Sequence, residues 1–287
     1  MEEFKKKKWV TEYQTNALRM EAEIKEVLFE GKKKKKKVGV YDTQIFGRLL
    51  VLDDVFQTST FEEFVYHEMI AHIPLSTHPN PKKVLIIGGG DGGTAREVLR
   101  HSELEKVEMV EIDGLVVEMA KKYLPEISCA LNNPPANFNL TIGDGIQRIK
   151  DAENYYDVII VDCSDPIGPG EGLFSGAFYK DVYKALKEDG LFVQQTESPF
   201  YHRNILANLT RDIKDADFSI VKSYLAYIPI YPGGCHSFTI GSKKYDPQKV
   251  VRSVPSDWNL KYYNEALHQG TFALPNFVTQ VVEGKLK

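Results

Sequence analysis

Between Lys83 and Ser198, short apolar runs alternate with stretches of helical spacing. "KVLIIGGG" (83–90) is too short for a buried helix and closes on glycines, so it predicts a strand. "GTAREVLRH" (93–101) predicts a helix, "KVEMVEID" (106–113) a strand and "GLVVEMAKKYL" (114–124) a helix. "NFNLTIGDG" (137–145) and "YDVIIVDCSD" (156–165) predict strands, "FYKDVYKALKEDG" (178–190) a helix and "LFVQQTES" (191–198) a strand. Strands alternating with helices imply parallel β-α-β units, hence an α/β fold with a doubly wound sheet. "SYLAYIPIY" and "CHSFTIGSKK" predict a late strand pair.

The first 65 residues have another texture. "ALRMEAEIKEVLFEG", "KVGVYDT" and "GRLLVLDDVFQTST" alternate and end on turn residues, which predicts a small antiparallel β domain over 1–65 ahead of a catalytic domain over 66–287. "EEFVYHEMIAHIPL" (62–75) predicts a helix with Phe64, Met69 and Ile73 on one side, followed by the turn-rich "STHPNPKK".

Composition narrows the partners. A net charge of −4 gives no basic field for nucleic acid. Three cysteines without metal spacing suit a reducing compartment. The start of the chain has no apolar signal core, and no apolar run approaches the roughly 18–20 residues that span a membrane. A cytoplasmic protein without membrane attachment is expected. The lysine run Lys32–Lys37 is read as a solvated hairpin tip or frayed strand, with a basic docking patch as the lesser reading.

In an open α/β sheet ligands bind beyond the carboxyl ends of the strands. The first strand end supplies Gly88, Gly90, Asp91 and Gly93, the second Glu111, the third Asp144 and Gly145, the fourth Asp162 and Asp165. Gly88-x-Gly90-x-x-Gly93 with Glu111 about 20 residues on matches a nucleoside-binding loop. Asp91 changes the reading. At about 4 Å and an effective dielectric of about 20, two unit charges interact by roughly 4 kcal/mol, so an acid there repels a pyrophosphate and attracts a cation. An adenosyl sulfonium bearing an amine fits: Asp91 for the amine, Glu111 for the ribose, Asp144 for the adenine amino group. Helix capping is the plain explanation of any one such acid.

The motifs "IIGGGDGG", "EID", "GDG" and "DCSDPIGPGEGLF", with "EFVYHEMIAHIPLSTHPNPKKVL", "IPIYPGG" and "KYYN…H…FALP", closely resemble the spermidine synthase family of polyamine aminopropyltransferases over nearly the whole chain. The resemblance implies a Rossmann-like, class I methyltransferase-type domain behind a small β domain. It implies decarboxylated S-adenosylmethionine as co-substrate, putrescine as acceptor, no metal or other cofactor, and a homodimer or homotetramer. Carried onto matching positions, it makes Asp162 the proton acceptor, assisted by Tyr66. Asp165 would hold the distal ammonium, Tyr231 and Phe200 would flank the methylenes, His67 and Asp91 would contact the aminopropyl side, and Gln57 and Pro169 would lie near the donor. A lysine-like amine with a pKa of about 10.4 is free in about one part in 2,500 at pH 7, a barrier of about 4.6 kcal/mol that a carboxylate base relieves.

The sequence departs from the family pattern at three places. Lys36 stands where a glutamine would contact the donor, Asp54 stands at a turn position usually held by glycine, and Ile230 and His236 alter "IPTYPSGxWxF". Three other functions compete: a diamine N-methyltransferase using intact S-adenosylmethionine, an NAD-dependent dehydrogenase, and a catalytically weakened polyamine-binding protein.

Overall fold

A computed structural model describes residues 7–33, 36–164 and 168–286, with backbone alone at 33, 168 and 169. Alternation near the N-terminus produces a five-stranded antiparallel meander in chain order: β1 (Lys8–Thr15), β2 (Leu18–Lys33), β3 (Lys36–Thr43), β4 (Gly47–Leu52) and β5 (Val55–Ser59). The sequence reading omits β1 and runs β4 into β5. They are separated by a two-residue turn at Asp53 and Asp54, with φ of 50° and 68°. Hairpins of this twist need left-handed residues, and aspartate enters that region more readily than most. Lys37 holds the turn through its backbone N–H to Asp53 Oδ1 (2.7 Å) and its Nζ to Asp54 Oδ2 (2.8 Å). Lys32 and Lys33 pair with Lys37 and Lys36 across the β2–β3 hairpin, as the hairpin reading of the run expects; Lys34 and Lys35 lie outside the described residues.

The helix α1 (Glu63–Thr77) follows. It is buried at every residue but Phe64, which corrects the one-sided reading. A helix buried all round is a core element rather than a surface one. Tyr66, Met69 and Ile73 share one apolar cluster with Leu49, Val51 and Phe56 of the meander and with Ile86 and Val158 further along the chain. The other face of the meander presents Val38, Val40, Leu50 and Leu52 to Val116, Met119 and Ile127. Both faces of β3 and β4 are therefore covered.

The larger sheet grows from β6 (Lys83–Gly88), α2 (Gly93–Val98), β7 (Lys106–Glu111), α3 (Gly114–Tyr123), α4 (Cys129–Asn132), β8 (Phe138–Ile142), α5 (Gly145–Lys150), β9 (Tyr156–Asp162), α6 (Gly176–Ala185) and β10 (Leu186–Gln195). It is completed by α7 (Arg203–Lys214), β11 (Ile220–Tyr227) and β12 (Cys235–Ser242), with α8 (Glu265–Gly270) and α9 (Asn276–Val282) after it. Strand order is β11-β12-β10-β9-β6-β7-β8; pairs from β10 to β8 are parallel, and β12 is antiparallel to both neighbours. This is the expected doubly wound α/β sheet with its late strand pair. One boundary moves: α6 stops at Ala185, and Leu186–Gly190, read as helix, enters β10 through a register shift against β9. The chain leaves β6 toward β7 and β8, then returns to β9 on the other side. The β6–β9 seam is thus a topological switch point, where ligands of such sheets bind. Among the described residues no helix is long and apolar enough to cross a membrane.

Candidate active site

At the seam, Gly88 is registered with Asp162, and Gly89 N–H donates to the Asp162 carbonyl at 2.8 Å. Gly88 has φ +84°, and a Cβ there would lie 2.0 Å from that carbonyl oxygen. Glycine is required because the loop presses backbone to backbone against the end of β9. Gly90 serves a neighbouring contact: a Cβ there would fall 3.0 Å from Glu111 Oε2. Gly145 lets α5 close on Ile87.

Asp91 is not the bare charge that the sequence reading took it to be. Its Oδ1 accepts from Gly93 N–H at 2.8 Å and faces His67 Nε2 at 3.3 Å. His67 Nδ1 lies 2.6 Å from Glu63 Oε2, one turn back on α1. Arg96 grips both Glu63 oxygens, at 3.0 and 2.8 Å, and donates to Glu97 through Nε at 2.7 Å. Burial by itself depresses the His67 pKa, but Asp91 and Glu63 outweigh it and hold the ring protonated, well above the usual histidine range. The imidazolium in turn overcomes the burial that would raise Asp91 and keeps that carboxyl below its ordinary range. Both His67 nitrogens are thereby occupied, so the ring acts on the cleft through Asp91.

Asp162 has a different environment. Its Oδ2 accepts from Thr94 Oγ1 at 2.6 Å, and it is hydrogen-bonded to the Tyr66 hydroxyl. Burial and the nearby Asp91 charge raise its pKa, and His67, Thr94 and Tyr66 only partly offset them. Burial also drives the Tyr66 phenol far above its normal range, with the Asp162 charge adding to the effect, so it remains a hydrogen-bond donor. Two neighbouring carboxyls are thus pushed in opposite directions, a pattern that separates a binding anion from a base.

Glu111 is buried, accepts from Asp113 N–H at 2.7 Å, and is raised to about 7 mainly by burial, with Lys36 pulling it down. Lys36 Nζ reaches Asp113 Oδ2 at 4.0 Å, so this departure from the family pattern points at the strand-end acids. Asp144 is exposed and caps α5, accepting from Ile146 N–H at 2.8 Å. Tyr231 donates to the Gln57 carbonyl at 2.8 Å, and its ring centroid lies 4.8 Å from His236 and 6.3 Å from Tyr66. The Gln57 amide turns back to Val55 O at 3.2 Å. Phe200 packs on Phe277 instead, at 4.7 Å. Asp165 and the Pro169 side chain lie outside the described residues.

The structure adds residues that the sequence reading missed. Thr94 holds Asp162, and Glu63 with Arg96 backs the His67–Asp91 pair. Glu12 on β1 turns inward, accepts from Phe56 N–H at 2.9 Å, and is raised to about 7 by burial, with Glu197 adding repulsion. Gln195 bridges His236 (3.1 Å), the Cys163 carbonyl (3.3 Å) and Glu197 (3.2 Å). An acid on the same strand face as buried Val10 was the available signal for Glu12.

Among the described residues, His78, Asp157 and Asp189 converge within metal-binding reach. The chemistry does not suit a cation: Lys187 Nζ already sits 2.8 Å from Asp157 Oδ1. His78 Nδ1 accepts from Asn80 N–H at 3.2 Å, so a neutral ring carries its proton on the Nε2 that faces the acids.

Comparison with known proteins agrees with this architecture. Residues 63–252 match the model of the spermine/spermidine synthase domain, and residues 8–60 match that of the spermidine synthase tetramerisation domain. The polyamine aminopropyltransferase of Caldicellulosiruptor saccharolyticus is 50% identical over 275 residues, covering 96% of this chain and 98% of that protein. Its counterpart from Methanocaldococcus jannaschii is 46% identical over 290 residues, covering 99% and 98%. A spermidine synthase crystallised with the transition-state analogue AdoDATO superposes with a TM-score of 0.89 at 40% identity, covering 96% of this chain and 95% of that one. The spermidine synthase of Thermotoga maritima gives 0.87 at 40% identity, covering 96% and 94%. Fold, strand-end chemistry and near-full-length identity converge: this chain belongs to the spermine/spermidine synthase family.

Proposed function

We propose that the protein transfers the aminopropyl group of decarboxylated S-adenosylmethionine to putrescine, giving spermidine and methylthioadenosine. The observation that carries this reading is the pair Asp91 and Asp162, one held ionised by His67 and the other left more basic, at one switch point. Donor and acceptor are both cations, so their encounter needs an acid-lined cleft. Asp91 binds the donor amine, and Glu111, with Gly88, Gly90 and Gly145 opening the backbone, takes the ribose. Asp144 takes the adenine amino group through the oxygen that does not cap α5. Gln57 and Pro169 complete the donor side. Asp162 accepts the proton of the attacking amine while Tyr66 orients it. The nitrogen lone pair then attacks the propyl carbon, the carbon–sulfur bond breaks, and the sulfonium leaves as a neutral thioether. Asp165 holds the distal ammonium and Tyr231 flanks the methylenes.

The expected division after residue 65 falls inside α1, so we place the boundary between the β unit and the catalytic unit at 60–62, where β5 has ended and α1 has not begun. Assembly runs through the N-terminal sheet, whose edge strand β1 exposes Trp9 and Tyr13. Three cysteines without metal-binding spacing support a reducing, cytoplasmic setting.

Mass spectrometry of products from each donor with a mixture of amines tests the reading. Decarboxylated donor with putrescine yields methylthioadenosine and spermidine. Methylputrescine from intact S-adenosylmethionine, without methylthioadenosine, overturns it in favour of methyl transfer.

A further inference from the structure

Thr94 is the second residue of α2 and is fully buried. Its Oγ1 donates to Asp162 Oδ2 at 2.6 Å, across 68 residues of chain. The same oxygen faces the glycine loop, since a Cβ on Gly89 would lie 3.1 Å from it, while Gly89 N–H holds the Asp162 carbonyl. Oδ2 is thus held by α2 on the side that faces the loop.

We propose that Thr94 is a positioning residue for the reaction: its hydroxyl fixes the rotation of the Asp162 carboxylate and presents Oδ1 to the attacking amine. The proposal rests on the proton-acceptor reading of Asp162 given above. The charged and titratable groups facing Asp162 are Asp91 from the loop, His67 and Tyr66 from α1, and Glu111 from the end of β7. Against these, Thr94 contributes a donor without a charge. It restrains the carboxylate and favours its ionised form without offering the dicationic substrates a competing cation.

Thr94→Val is nearly isosteric and deletes only the donor; Thr94→Ser keeps it. The measurement is the pH dependence of kcat/KM for putrescine at saturating donor. A base must be ionised to act, and loss of a donor to the ionised form raises its pKa. Thr94→Val therefore moves the acid limb up by about one pH unit, which is about tenfold in rate well below the limb. The donor KM stays within about twofold, a ΔΔG well under one kcal/mol. Thr94→Ser restores the wild-type limb. Should the valine variant fold poorly, Thr94→Ala must give the same shift. An unmoved limb in Thr94→Val or Thr94→Ala, or a serine variant that behaves like valine, overturns the proposal. Wild-type enzyme that forms no methylthioadenosine removes the reading beneath it; wild-type turnover with an unmoved limb removes this proposal alone.

Discussion

Asp91 and Asp162 follow neighbouring strands, β6 and β9, at one switch point and are surrounded by opposite physics. Asp91 ends an alternating string of buried charges, with His67, Glu63, Arg96 and Glu97 behind it. Asp162 is held by two neutral hydroxyls, Thr94 and Tyr66. A charged partner lowers a carboxyl's pKa strongly, whereas a hydroxyl restrains it while leaving it able to take a proton. The comparison teaches that acids at one switch point need not be uniform: one carboxyl is held below its ordinary pKa and its neighbour is raised above it. Removing one member of such an ion string leaves its neighbour uncompensated, so the cost of breaking the string exceeds what the intact string adds to stability.

The sharpest break is Asp162→Asn. It removes the proposed base and is expected to lower kcat by about a thousandfold, with donor binding by calorimetry unchanged within about threefold. Asp91→Asn attacks the other acid. It should raise the donor KM by about 10- to 100-fold, the value of a charged hydrogen bond, with a smaller effect on kcat. It should also narrow the preference for decarboxylated over intact S-adenosylmethionine, read as the ratio of kcat/KM for the two donors.

His67→Asn makes the two acids more alike. Without the imidazolium, Asp91 loses its partner and both carboxyls rise, so the acid limb of the pH profile moves up by about one unit. Activity then falls most at low pH, because each carboxylate must be ionised to serve, and each now protonates earlier on acidification. A limb unchanged in the variant contradicts the charged state assigned to His67. Lys36→Gln is the mildest test. Removing a cation beside Glu111 and Asp113 should lower the donor KM about twofold at low salt, with the difference vanishing as salt screens the site.

Much of the catalytic sheet was legible because its signals are local. Glycines, apolar runs of strand length and acids at strand ends occur within a few residues of one another, as in Ile87–Asp91 and Val161–Asp162. Helix α7 is absent from the sequence reading, although Leu206, Leu209 and Ile213, its buried face, recur at helical spacing. Strand β1 was obscured by the lysines before it. The extent of α6 was hidden because "LKEDG" is compatible with a helix, while pairing with β9 draws Leu186 into the sheet. The clamp behind His67 was not legible, since Arg96 meets Glu63 across 33 residues. Nor was the arrival of Glu12 from β1 beside Phe56, 44 residues away.

The sequence alone determined the inventory and its order: the glycine loop, the acids that follow each strand, and the periodicities that make those segments strands and helices. These follow from backbone sterics and from apolar spacing, which act over a few residues. Only the tertiary structure decided the surroundings of each acid: Asp91 is held below its ordinary range, Asp162 is pushed above it, Glu111 is a buried carboxyl beside a lysine, and Asp144 is a helix cap. The physical reason is that ionisation depends on burial and on charges through space, and neither is set until distant segments pack.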